Sequence, residues 1–318
     1  MKSKILWTFL FGYLHIQIAF SQGNKDFEQD YLTMRKSVIG IGTVITDTLI
    51  NNGKKIPIKR FVTVGAGLMT YAKYDTIVLT NIVTAGHVIK FFRENKLTSI
   101  YLRPSWADTI RTTEYFGVQV PLTNSDKTPN TFLYPDNKVD LGCILMLPIY
   151  YDKIYIEKIV KDGNKLFPYN SMTTPYLGDQ VWIGGYPDHI ETNIQNNFLY
   201  SIATFKPGYI SWKPSTNMAN TDLSHITLVE SNATHGNSGG PVFSLQDKIE
   251  LVGILVSGFD DIDSVYLNNK PVIDPITKQA LIAKSRAGVS IIEKAEYVKK
   301  LIEFVQSEID RLRKTGIK

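Results

Sequence analysis

The sequence predicts an antiparallel, all-β fold with one helix at its C-terminal end. Short runs rich in Val, Ile, Thr and Tyr recur between turn residues, and clear helical periodicity is confined to a single stretch. The runs are Val38 to Thr46, Phe61 to Tyr71, Thr76 to Val83, Gln180 to Gly184, Phe198 to Phe205, His225 to Glu230, Pro241 to Ser244 and Ile249 to Ser257. Asn52-Gly53, Asp162-Gly163 and Gly178-Asp179 punctuate them, because Asn and Gly accept the positive φ of tight turns. From Lys294 to Arg313 the residues Ala295, Val298, Leu301, Ile302, Val305, Ile309 and Leu312 share one helical face, the pattern of a helix packed on a core.

The first residues combine a basic start, Met1-Lys2-Ser3-Lys4, with the apolar stretch Ile5 to Phe20 and small residues around Ala19-Phe20-Ser21. That is the layout of a secretory leader over 1–21, leaving 22–318 as the mature chain. The stretch is short for a membrane span, carries His15 and Gln17, and no later segment is as apolar, so no stable membrane anchor is expected. The protein is expected to be exported, to a periplasm or the extracellular space. The remaining length suffices for one large or two small domains. The net charge of +5 arises from Lys and Arg interspersed with acids, which gives no basic face for nucleic acid. The single cysteine, Cys143, cannot form an internal disulfide and alternates with apolar neighbours, so it reads as a small core hydrophobe. No His-Glu-x-x-His motif occurs, and Asp260, Asp261 and Asp263 lack calcium-loop spacing and read as a solvated acidic turn; neither metal nor cofactor is expected.

Gly236-Asn237-Ser238-Gly239-Gly240-Pro241 carries the chemistry. A serine attacks well only when a base removes its proton and backbone N–H groups stabilise the oxyanion. Glycine at 236 lets the N–H groups of Gly236 and Ser238 point into one hole, and the two glycines after Ser238 are expected to clear space for substrate. The string also fits the Gly-x-Ser-x-Gly elbow of α/β-hydrolases, but His15, His87, His189, His225 and His235 all precede Ser238, and that fold needs its base after the serine. A subtilisin-like order would need alternating strands and helices around His87, where the sequence reads mostly as strand.

His87 ends the apolar run Ile82-Val83-Thr84-Ala85-Gly86-His87. This stretch and the Ser238 turn resemble, in order and in residues, the base and nucleophile motifs of the trypsin-like (chymotrypsin-fold) serine peptidases. The resemblance spans roughly Ile39 to Phe304 and implies two antiparallel six-stranded β-barrels with a C-terminal α-helix. It places an N-terminal barrel at about 28–165 and a C-terminal barrel with the helix at about 166–318. It implies that the triad acid is Asp140, in Lys138-Val139-Asp140-Leu141-Gly142-Cys143, with Asp136 as the alternative. Asp108, Asp126 and Asp152 lie in polar or turn-rich segments and read as solvated. The family further implies an oxyanion hole from Gly236 and Ser238, and a substrate pocket lined by Asn232, Ala233, Thr234, His235, Ser257, Gly258 and Phe259. No acid stands at the pocket base for a trypsin-type preference. Thr234 and His235 suit an acidic side chain, against the plainer reading of His235 as an exposed rim residue.

Gly178-Asp179-Gln180-Val181-Trp182-Ile183-Gly184-Gly185-Tyr186-Pro187 and Ala287-Gly288-Val289-Ser290 look like strands of HtrA-type and glutamyl-endopeptidase-like members. Asn237 stands where pancreatic-type enzymes carry the aspartate that binds a freed N-terminus, so the oxyanion hole is expected to form without that switch. No PDZ domain is expected after Ser290, and segments 105–137 and 259–284 read as surface loops flanking the cleft. The implied activity is that of an exported serine endopeptidase acting on polypeptides. A catalytically silent peptide- or partner-binding protein and a serine esterase are the alternatives.

Overall fold

A computed structural model of the chain describes residues 27–314 except 75–76, 157–165, 188–190, 195–197, 216–221, 232, 247, 265, 268–269, 272 and 274–281. The leader at 1–21, His189, Asn232 and the Asp162-Gly163 turn lie outside the described residues.

The first half forms an eight-stranded sheet. Its strands are β1 (Val38–Asn51), β2 (Lys54–Tyr74), β3 (Ile77–Ala85), β4 (Ser99–Pro104), β5 (Val118–Pro121), β6 (Thr131–Leu133), β7 (Leu141–Met146) and β8 (Phe167–Pro168). Pairing follows β5-β4-β1-β2-β3-β7-β6, and β8 adds to β2 in parallel. Asn52 (φ 50°) and Gly53 (φ 76°) supply the two positive-φ residues that fold β1 back onto β2. The end strands β5 and β6 meet through the turn between them: the Asn130 amide donates to the Leu122 carbonyl at 3.0 Å and Thr123 bridges Pro129. This half is therefore a half-barrel sheet of eight strands whose end strands are linked by a polar turn, where a closed six-stranded barrel is expected.

The second half contains β9 (Gln180–Gly185), β10 (Glu191–Ile194), β11 (Phe198–Ser201), β12 (Thr204–Trp212), β13 (Ile226–Glu230), β14 (Pro241–Ser244), β15 (Glu250–Ser264), β16 (Tyr266–Leu267), β17 (Lys270–Pro271) and β18 (Ile282–Lys294). Six of these close a barrel in the order β12-β13-β18-β15-β14-β9, with β10–β11 and β16–β17 as separate hairpins. The all-β architecture read from the sequence is the one observed. Val181, Ile183, Ile210, Val229, Val242, Val252, Leu255 and Ile292 fill this barrel.

The helices are α1 over 27–37, α2 (Gly86–Glu94), the single turn α3 (Lys153–Tyr155) and α4 (Ala295–Lys314). In α4, Ala295, Val298, Leu301, Ile302 and Val305 are buried, as the periodicity requires. Each fully buried aliphatic chain contributes about 1.5–3 kcal/mol. That face joins the core of the first sheet, where Cys143 is also fully buried, and burial pushes its thiol pKa up.

Two parts of the sequence reading need correction. Helices also form at α1 and α2. In α2 only Val88, Ile89 and Phe92 mark an apolar face, and nine residues are too few to separate a helix from a buried strand by period. In α1, Phe27 and Tyr31 face Trp182 and Phe205 of the second barrel at ring distances of 5.5 and 5.4 Å, so its apolar side is defined by a distant partner. Second, 105–137 is not a surface loop: it supplies β5, β6 and the buried Ser105, Ala107, Asp108 and Thr112. Within 259–284, β15 extends to Ser264 and pairs with the start of β18.

Asp108 is therefore not solvated. It is 7% exposed and takes an ion pair from Arg35 of α1, with the Ala203 amide 3.2 Å from its Oδ2 and the Tyr186 hydroxyl 3.5 Å from its Oδ1. Arg103, fully buried beside it, donates to the carbonyls of Tyr115, Ala107 and Ile110. One carboxylate thus joins α1, the first sheet and the second half. Burial pushes the Asp108 carboxyl up to about 6, against the Arg35 and Ala203 donors and the nearby Arg103 charge that pull it down.

A carboxyl raised on folding favours the native state fully below its unfolded pKa and loses that contribution as pH rises through the folded value. Between pH 4 and pH 6.5 the stability of the wild type relative to Asp108→Asn is thus expected to fall, by at most about 3 kcal/mol. Urea denaturation of both proteins across that range measures it, and parallel profiles would refute the assignment.

Candidate active site

The pairing of β3 with β7 sets the first two residues. Ala85 lies opposite Leu141, so the residues just beyond, Gly86 and His87 on one side and Asp140 on the other, come together at the strand ends. The Gly86 amide donates to the Asp140 carbonyl at 2.9 Å, and a β-carbon at position 86 would lie 2.9 Å from Asp140 Oδ1. The small residue is what lets the carboxylate reach over the start of α2. There Asp140 Oδ1 accepts from the His87 main-chain amide at 2.9 Å, and Oδ2 lies 2.6 Å from His87 Nδ1. Two contacts from one carboxylate fix both the backbone and the ring of His87 and leave Nε2 as the outward nitrogen. The His87 side chain is 47% exposed and that of Asp140 31%, so the pair lies at a surface.

Ser238 lies in the turn between β13 and β14. Gly236 has φ 83°, a conformation that favours glycine. Main-chain bonds hold the turn: Asn237 N–H to Thr234 O (3.2 Å), Gly239 N–H to Leu255 O (2.6 Å), Gly240 N–H to Asn237 O (2.9 Å) and Tyr186 N–H to Gly236 O (3.3 Å). From the first sheet, the Ala66 amide donates to Ser238 O at 2.7 Å. A β-carbon at Gly65 would lie 2.7 Å from both Ser238 O and a Val88 methyl, so the Ser238 turn and the residue after His87 meet over the same point of β2.

The expected role of the two following glycines needs revision. A β-carbon on Gly239 would press into Thr84 Oγ1 and the Ala66 carbonyl, and one on Gly240 into the Gly184 carbonyl. They are small because the protein's own backbone occupies the space expected for substrate.

Of the other residues read as pocket-lining, Ala233 is buried in the second-barrel core, Thr234 is half-buried with Lys206 Nζ 3.5 Å from its hydroxyl, and His235 is exposed. Ser257 and Phe259 are exposed and Gly258 half-buried along β15. Desolvation lowers the Lys206 pKa. Asp136 accepts from the Lys138 amide at 3.0 Å within its own turn, and Asp152 caps α3. A cavity of about 410 Å³ lined by Met172, Lys213, Val252 and Lys294 includes none of the residues named for the site. Among the described residues no group of three or more His, Cys, Asp or Glu could hold a metal ion, and no helix is long and apolar enough to cross a membrane.

Sequence reasoning missed Glu293. Its side chain is 1% exposed, accepts from the Asp140 amide at 2.9 Å and lies 2.6 Å from His225 Nδ1. Burial raises its pKa, against the Asp140 amide and His225. A lone carboxylate in the apolar run Ile291-Ile292-Glu293 was the available signal, since such a group must be paired.

Residues 73–254 match the family model described as trypsin-like peptidase domain. Among solved structures, the protease domain of MamO from Magnetospirillum magneticum in its apo form is 13% identical, with a TM-score of 0.45 over 85% of this chain and 97% of that one. Rv3671c from M. tuberculosis, as an inactive serine-to-alanine mutant, is 12% identical, with a TM-score of 0.40 over 87% and 89%. No curated protein matches the chain.

The packing of the Ser238 turn separates two roles by stability. Gly240→Ala is expected to lower unfolding free energy by about 1–3 kcal/mol through overpacking against Gly184. Ser238→Ala should stay within about 1 kcal/mol of wild type. Chemical denaturation measures both, and a Gly240→Ala protein as stable as wild type would restore the reading in which these glycines face only substrate.

Proposed function

The chain belongs to the trypsin-like peptidase family, and from that premise we propose that it is an exported serine endopeptidase whose triad is His87, Asp140 and Ser238. The observation that carries the reading is the double contact of Asp140 with His87, 2.6 Å to Nδ1 and 2.9 Å to the amide, beside a serine turn with Gly236 at positive φ. Nε2 of His87 takes the proton from Ser238 Oγ as Oγ bonds to the carbonyl carbon of the scissile peptide. The oxygen that gains the electron pair is held by the N–H groups of Gly236 and Ser238. Collapse breaks the C–N bond, and His87 passes its proton to the leaving amine. Water, deprotonated by His87, then attacks the acyl-enzyme and Ser238 recovers its proton. Asp140 holds the imidazole orientation and balances the imidazolium charge.

Ser257, Gly258, Phe259, Thr234 and His235 form the proposed substrate rim, with Asn232 beside it in sequence; Ala233 supports it from the barrel core. Polypeptides are the proposed substrates, with no role for nucleic acid. Export rests on the leader at 1–21, and the mature protein isolated from a secreting host should begin at Gln22.

A fluorophosphonate probe tests the reading directly. Wild type should be labelled, and Ser238→Ala and His87→Ala should not. Asp140→Asn should lower the labelling rate by about 1,000-fold or more while the protein stays folded. Turnover of peptide amides, and not of simple esters alone, distinguishes a peptidase from an esterase. A folded wild type that takes no label would point instead to a silent binding protein.

A further inference from the structure

Asp140 is gripped from the second barrel as well as from the first. Its carbonyl is held by Gly86 within the first sheet, but its amide is held by Glu293 of β18. The Glu293 carboxylate is in turn held by His225, the residue preceding β13, whose main-chain carbonyl accepts from the Lys294 amide at 3.0 Å. The strand pairing of Ile226 with Glu293 sets this contact, and the His225 ring rests edge-on against Tyr297 of α4 at 6.0 Å. His225 is 12% exposed and Glu293 1%, so the two form a buried arm reaching from the second barrel to the acid beside His87.

We propose that Glu293, fixed by His225, is a positioning residue that sets Asp140 relative to the Ser238 half of the molecule. The inference rests on the serine-peptidase reading for its effect on rate, but not for its effect on geometry. His87 and Asp140 belong to one half and Ser238 to the other, so their alignment depends on how the halves are joined. The Ala66 to Ser238 bond ties the serine to the first sheet, and the Glu293 to Asp140 bond ties the acid to the second barrel. Together they form a reciprocal pair of cross-connections, each ending on the main chain of a proposed triad member. A glutamine at 293 retains an oxygen for the Asp140 amide, whereas an alanine leaves that amide without its acceptor. The role thus predicts rescue by the conservative variant.

The test compares wild type, Glu293→Gln, Glu293→Ala and His225→Ala by two readouts on folded protein. One is the downfield proton resonance of the His87 Nδ1–H bonded to Asp140, which reports the pair's geometry without any turnover. The other is the fluorophosphonate labelling rate of Ser238. Glu293→Ala is expected to broaden or lose the resonance and to label about 10- to 100-fold more slowly, the scale of a small misplacement of reacting groups. Glu293→Gln is expected to keep the resonance and stay within about threefold of the wild-type rate. His225→Ala should weaken the resonance, and it carries the test if Glu293→Ala does not fold. A folded Glu293→Ala or His225→Ala with wild-type resonance and rate overturns the proposal and leaves the peptidase reading standing. Loss of the resonance in Glu293→Ala, with no labelling of wild type, overturns the peptidase reading and leaves the positioning role standing.

Discussion

The 2.7 Å hydrogen bond from the Ala66 amide to the Ser238 carbonyl is the contact on which the site depends, because it ties the serine turn to the first sheet, across halves whose apolar packing is shared through Phe243, Leu251, Ile254 and Val256. The His87 and Asp140 pair is brought together by the register of β3 and β7, and the Asp140 amide is held in addition by Glu293 of β18. The serine turn can be assembled by its own hydrogen bonds and by Leu255. Short, directional cross-connections add precise placement to the apolar packing that the halves share. An apolar interface alone would let the halves slide, since hydrophobic contact is non-directional.

The strands that the sequence revealed were those with a local cause. Asn52-Gly53 makes its hairpin with residues inside the turn, and the apolar face of α4 follows from a period sustained over five turns or so. The site residues were legible for a related reason. Gly236, Ser238, His87 and Asp140, the candidates, sit in short motifs that resemble those of the trypsin-like peptidases. What stayed hidden depends on partners far along the chain. Asp108 looks like a loop acid until Arg35, Tyr186 and Ala203 close over it from other elements. α1 has its aromatic face explained only by Trp182 and Phe205. Gly239 and Gly240 looked like space for substrate because the strands that press on them, β2, β3 and β9, are remote in sequence.

Buried charge follows the same logic. With Cys143 the chain's one cysteine, no intrachain disulfide bridges the halves, and acids at the boundary are held by donors from more than one element. Asp108 is held by Arg35 and the Ala203 amide, and Glu293 by His225 and the Asp140 amide. Burying such groups costs more than a hydrophobic contact would, and removing one partner leaves the other uncompensated. Each is a weak source of net stability but a strong constraint on geometry, because the donors must stand at defined positions for the charge to be tolerated.

That distinction bears on Asn237. In place of a charged side chain seeking a cationic partner, the position before Ser238 carries a neutral amide that is 2% exposed and packed on Gly185. The residue thus carries no charge to be neutralised, but its Oδ1 is buried without a hydrogen-bond partner among the described residues. The turn is held by main-chain donors: Gly239 to Leu255 of β15, Gly240 to Asn237 within the turn, Tyr186 just beyond β9 to Gly236, and Ala66 of β2 to Ser238. The main-chain positions of Gly236 and Ser238 are thus held from both halves, through Tyr186 of the second and Ala66 of the first.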